Sequence, residues 1–194
     1  MVETMLIDLK SLLVEREDCD AGTVQRLRDG LAQGKTQFRT LRDVNDLLKK
    51  RLEVAAGVQA KKLHLKLGIA NYFLGHLAVA IDSLRQAEGA LAAFYLGKAL
   101  LEHQELDEAF KAFDKAEKSG YTTSQVNLQK AGIHRLKGEL THARGILTKV
   151  ADQVLAAIVQ TFPINSGRNL PIRASIGVVE QPAAGADPTD LLAA

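Results

Sequence analysis

Five histidines, a run of acids and one cysteine are the residues of this chain best equipped for chemistry, and their spacing scatters them. His64, His76, His103, His134 and His142 show no His-Glu-x-x-His run or comparable ligand spacing, whereas a metal site needs donors that converge. Surface and hairpin-interface positions suit them better. Glu102, Glu105, Asp107, Glu108, Asp114 and Glu117 crowd one stretch, as carboxylates for acid–base work or calcium would. Helical spacing spreads them over a solvated face, and no glycine-containing calcium loop intervenes. Ser166, Gly167 and Arg168 have neither a nucleophile elbow nor a phosphate-cradling loop around them. Cys19 is the only cysteine, which excludes an intrachain disulfide and any multi-cysteine metal centre. The residues therefore predict no catalytic group, no metal site and no cofactor, and the chain is not expected to be an enzyme.

Charge and hydropathy narrow the remaining classes. The 194 residues carry a net charge of +2, with 46% hydrophobic and 25% charged residues, a composition ordinary for a soluble globular chain long enough to bury a core. A charge so near zero gives no electrostatic argument for nucleic acid or an anionic membrane. The basic run Lys49, Lys50 and Arg51 lies beside Asp43, Asp46 and Glu53 and reads as a solvated helix face. Glu3 and Asp8 stand where a signal peptide needs positive charge and an unbroken apolar run. No membrane span is expected. Together with the lone cysteine this predicts a cytoplasmic protein.

The elements that must position any functional side chain are visible as a repeated pattern between residues 61 and 150. Aligned on Ala80, Ala109 and Ala143, the first segment has Leu67, Gly68, Tyr72, Gly75, Leu77, Leu84 and Ala87. The second has Leu96, Gly97, Leu101, Leu106, Phe113 and Ala116, and the third Ala131, Gly138, Leu140, Leu147 and Val150. Small residues at Gly68 and Gly97, facing Ala80 and Ala109, permit a close approach of antiparallel helices, and Leu84, Phe113 and Leu147 are expected to fill the space towards the next hairpin. Gly75 and Gly138 fall where each hairpin turns through positive φ. Gln104 holds that place in the second. The alanines are 29 and then 34 residues apart, and a period of about 34 belongs to helical-hairpin repeats. The shorter step predicts a contracted connection after Ala87.

On these residues, the stretch 61–150 resembles the tetratricopeptide repeat (TPR) family, with units at 61–89, 90–122 and 123–150. The resemblance implies an all-α solenoid whose first helices line a concave groove for a polypeptide partner. Carried over by register, the groove face holds Lys62, Leu65, Ile69 and Tyr72, then Leu91, Phe94, Lys98 and Leu101, then Gln125, Leu128 and Arg135. Apolar and aromatic residues dominate it, with three cations, which suits an amphipathic helix or an extended apolar segment. The Lys/Asn clamp that the family uses for acidic chaperone termini is not reproduced. Either this groove is open to a protein partner or the chain's own ends fill it.

Residues 1–60 are expected to cap the array. Val2, Met5, Leu6, Leu9, Leu12 and Leu13 follow helical spacing and Asp18 to Gly22 reads as a turn. Thr23 is expected to cap a short helix ended by Gly34, and Thr36 a longer one carrying Phe38, Leu41, Val44, Leu47, Leu48 and Leu52. A coiled-coil dimer through residues 36–55 is the alternative use of that stripe. The tail 151–194 differs: all four prolines lie there, and the pattern predicts a short helix followed by a β-hairpin. Its segment from Asn169 to Glu180, with Asp187 to Ala194, resembles the end of a GGDEF (diguanylate cyclase) domain without the Gly-Gly-Asp/Glu-Glu-Phe hairpin that would hold GTP and metal. The resemblance implies a tail unable to make cyclic di-GMP. The two functional expectations are a peptide-binding scaffold and an inactive relic of a cyclic-dinucleotide signalling protein.

Overall fold

The computed structural model describes residues 6–161. Among these, a short π-helical segment, Ser11–Glu15, is followed by eight α-helices: α1 (Ala21–Ala32), α2 (Lys35–Glu53), α3 (Gly57–Phe73), α4 (Leu77–Gln86), α5 (Ala90–Glu102), α6 (Leu106–Lys118), α7 (Thr123–Leu136) and α8 (Leu140–Thr161). No strand occurs among the described residues. The expected β-hairpin and the cyclase-like tail lie outside them. The chain divides into two compact units, Met1–Gln129 and Lys130–Ala194, with the division inside α7.

Three hairpin turns use one hydrogen-bond pattern, which is the physical basis of the repeat. At the first, Leu74 N–H donates to Ala70, Gly75 to Tyr72 and His76 to Asn71; Gly75 takes φ 78°. At the second, His103 donates to Ala99, Gln104 to Leu101 and Glu105 to Leu100. Lys137, Gly138 and Glu139 repeat it at the third, where Gly138 has φ 76°. Each turn satisfies the last carbonyls of one helix through a left-handed residue. Gln104 takes that conformation without being glycine, at φ 67°, so the second turn is made against a steric penalty of about 1–2 kcal/mol. The amides of Ala80, Ala109 and Ala143 then donate to His76, Glu105 and Glu139, the residues that cap the next helix.

Close packing within the hairpins explains the small residues. A Cβ on Gly68 would lie 2.4 Å from Leu84 Cγ, and one on Gly97 would lie 2.7 Å from the Phe113 ring. Ala80, Ala109 and Phe113 are fully buried beside them. Leu84 and Phe113 therefore pack against the glycine of their own hairpin. The 29-residue step also has a different origin from the one expected. α4 has 10 residues where α6 has 13, so most of the contraction is a lost helical turn. Only a small part comes from the connection.

The amino-terminal helices obey tertiary constraints that local sequence did not reveal. Asp20, not Thr23, caps α1: its Oδ1 accepts the Thr23 amide at 2.6 Å and the Thr23 hydroxyl at 2.8 Å. Gly34, not Thr36, precedes the first residue of α2. Leu41, Val44 and Leu48 of the α2 stripe are buried and α2 packs on α3, while Phe38 and Leu47 are exposed. Asn45 and Asn71 exchange amide hydrogen bonds at 3.1 and 3.3 Å in that interface. The coiled-coil alternative would need the same stripe. Before α1, Leu9, Leu12, Leu13 and Val14 are buried, and the segment is tied down by Arg51 donating to the Val14 carbonyl and Lys66 to that of Arg16. Further along, α8 runs unbroken for 22 residues, so the expected separate helix after residue 150 is its far end.

Candidate functional site

Within the unit 1–129 a pocket of about 260 Å³ opens with α5 as its floor. Leu91, Phe94, Tyr95 and Lys98 come from α5, Gln125, Leu128 and Gln129 from α7, and Ala21, Val24, Gln25 and Arg28 from α1. Tyr121, just past the turn that ends α6, closes one corner. Its position follows from Gly120, whose φ of 92° lets the Tyr121 amide donate back to Ala116 and turns the chain towards α7. On α5, residues 91, 94, 95 and 98 share one helical face. Gly97 packs against Phe113, and Phe94 meets the same ring edge-on at 5.6 Å, so the pocket floor is continuous with the hairpin core.

The floor is a row of rings. Tyr121 stacks on Phe94 at 4.1 Å between centroids and 13° between planes. Phe94 meets Tyr95 edge-on at 5.8 Å, and Tyr95 meets Tyr72 edge-on at 5.5 Å. Such pairs add about 0.5–1.5 kcal/mol each beyond area burial, which makes the row a rigid surface. Lys98 crosses its end, with Nζ 5.1 Å from the Tyr72 ring centroid and 5.6 Å from that of Tyr95. Burial lowers the Lys98 pKa, opposed by nearby Glu102 and assisted by the Arg28 charge. Burial pushes Tyr95 up to about 12. The Tyr72 hydroxyl donates to Glu102, and burial followed by that bond raises its pKa. Tyr72 and Tyr95 therefore stay neutral donors at physiological pH.

The residues expected to form one continuous groove have separate fates. Leu91, Phe94, Lys98, Gln125 and Leu128 line the pocket. Phe94 is nearly buried there and Leu128 is exposed. Lys62 is committed to Glu17 and Asp18, each at 2.7 Å, because the amino-terminal segment runs past that part of α3. Ile69 is fully buried and belongs to the core. Leu65, Tyr72 and Leu101 are half-buried outside the pocket lining, and Arg135 is exposed on the other unit. The α1 wall, with Arg28 and Gln25, was not legible from the repeat register, since it comes from outside the repeats. Tyr95 and Tyr121 were missed too, although an aromatic beside Phe94 and one after a turn glycine were available signals.

The pocket's volume is below the range of about 300–1,000 Å³ usual for enclosed small-molecule sites. Among the described residues no group of three His, Cys, Asp or Glu converges as a metal site would. Cys19 is pushed up to about 12 by burial, which leaves it a thiol with little nucleophilic character. His76 faces Asn71 of α3, and His103 and His134 face the turn residues Glu105 and Glu139. They are spread over three turns. No described helix is long and apolar enough to cross a membrane.

Comparison with known proteins agrees with the architecture. No protein-family model and no curated protein matches the sequence. Two crystal structures of MamA resemble the fold at 19% identity. One has a TM-score of 0.55 over 71% of this chain and 90% of that one, the other 0.57 over 74% and 87%. The likeness is one of fold, and it agrees with the helical hairpins seen among the described residues.

Proposed function

We propose that the protein is a non-catalytic, cytoplasmic scaffold that binds a helical or extended segment of a partner protein in the pocket between α1, α5 and α7. In this reading residues 61–150 are the repeat array and residues 1–60 cap it while contributing one pocket wall. The observation that carries the proposal is the aromatic floor of the pocket, with exposed Leu128 at its edge. Phe94, Tyr95 and Tyr121 form a stiff platform, and Leu91 and exposed Leu128 extend it. Rigid aromatic anchors beside flexible polar groups are the composition of protein-binding hot spots. The amino-terminal segment covers part of the groove face, so the bound segment is shorter than the full array.

A displayed library of random dodecapeptides, selected on the intact chain, tests this. Selection should enrich peptides with two or more apolar residues at helical or alternate spacing. Leu128→Glu, an exposed substitution that leaves the fold intact, should weaken their binding by at least about tenfold. A selection that enriches nothing, or peptides indifferent to Leu128→Glu, would refute the proposal.

A further inference from the structure

The pocket carries a charge pattern that goes beyond its apolar floor, and the inference drawn from it rests on the peptide-binding reading above. Two cations, Arg28 from α1 and Lys98 from α5, line it, and none of its lining side chains is acidic. The two charges are close enough that Arg28 disfavours the charged form of Lys98. Arg28 and Lys98 line the same pocket as Tyr95. The carboxylate felt by Lys98, Glu102, lies on the exposed side, where it accepts the Tyr72 hydroxyl. Half-buried Lys98 and exposed Arg28, carried by separate helices, are like charges that repel one another until an anion is placed between them.

We propose that the pocket recognises an internal aspartate or glutamate of its partner, with the carboxylate between Arg28 and Lys98 and the flanking apolar residues on Leu91, Phe94 and Leu128. Arg28 offers a planar fork of donors and Lys98 a point charge. An acid seated there relieves the repulsion and bridges α1 to α5. The peptide's apolar neighbours set affinity, and the acid sets register and excludes basic segments. A chain-terminal carboxylate is not required, because the pocket lies along the groove with Gln25 and Gln125 on opposite walls to satisfy a continuing backbone.

An array of acetylated, amidated dodecapeptides removes terminal charge from the comparison. Each apolar sequence is made with Glu, Gln or Lys at its centre, and the array is probed with the intact chain. Glu members are expected to bind at least about tenfold more tightly than their Gln counterparts, and Lys members not to be retained. Arg28→Met and Lys98→Met, checked for unchanged helicity and melting, should each abolish the preference for Glu over Gln. Equal binding of Glu and Gln members by the wild-type chain overturns the anion site and leaves the peptide-binding reading standing, as does a preference that survives both substitutions. An array with no binding sensitive to Leu128→Glu overturns both. A dimer that Leu128→Glu dissociates would make a second copy the occupant and overturn the partner acid.

Discussion

Gly97 and Gly132 both lie inside helices, and one substitution should act on them in opposite directions. At Gly97 an added methyl would sit 2.7 Å from the ring of fully buried Phe113. Overpacking of this kind costs about 1–3 kcal/mol against a helix-propensity gain of about 1, so Gly97→Ala should lower stability in urea unfolding. At Gly132 nothing lies within 4 Å of the added methyl, and Gly132→Ala should raise it by about 0.5–1 kcal/mol. Asp20 gives a pH-dependent test. Its hydrogen bonds from the Thr23 amide and hydroxyl hold its pKa below the ordinary aspartate value. A depressed pKa stabilises the fold above the unfolded-state value, and that contribution disappears as pH falls through the folded one. Asp20→Ala should therefore lose about 1 kcal/mol at neutral pH. Its melting curve should merge with that of the wild type in acid.

The helices are where the sequence was most readable. The three turns at Gly75, Gln104 and Gly138 were placed by the spacing because a left-handed residue and the small residues on either side of it are local requirements. Small residues at 68 and 97 revealed that helices touch there, but not which side chains they touch. Leu84 and Phe113 had the size to face either way. Helix caps failed for a related reason. Asp20 and Thr23 are both good cap residues, and only the path of the preceding segment decides between them. The α2–α3 interface is held by a feature no pattern announced, the amide pair Asn45 and Asn71. Asn71→Leu would strand the Asn45 amide in a buried site, at about 1–3 kcal/mol. Asn45→Leu/Asn71→Leu should lose less than the two single changes summed, because neither variant amide is then left unpaired. Urea unfolding of the four proteins checks the sign of the coupling.

For the molecule as a whole, the fold was more legible than the site. Periodicity conveys which helices stack, and the MamA structures share that architecture at an identity too low to carry function with it. The groove was legible only where α5 and α7 supply it, through Leu91, Phe94, Lys98, Gln125 and Leu128. Its other wall comes from α1, distant in sequence and brought there by ties such as Arg51 to Val14 and Lys66 to Arg16. Those contacts depend on long-range folding and leave no periodic trace. They also shorten the groove, converting Lys62 from a candidate contact into a partner of Glu17 and Asp18. The central claim is that this mixed wall of repeat and non-repeat helices forms one binding pocket. Titrating an enriched peptide into the isotope-labelled chain and following backbone amide resonances tests it most directly. The account predicts shifts that cluster at residues 24–28 of α1, 91–98 of α5 and 121–129 at the start of α7. Shifts confined to the outer helices α4 and α6, or absent throughout while the peptide still binds, would contradict it.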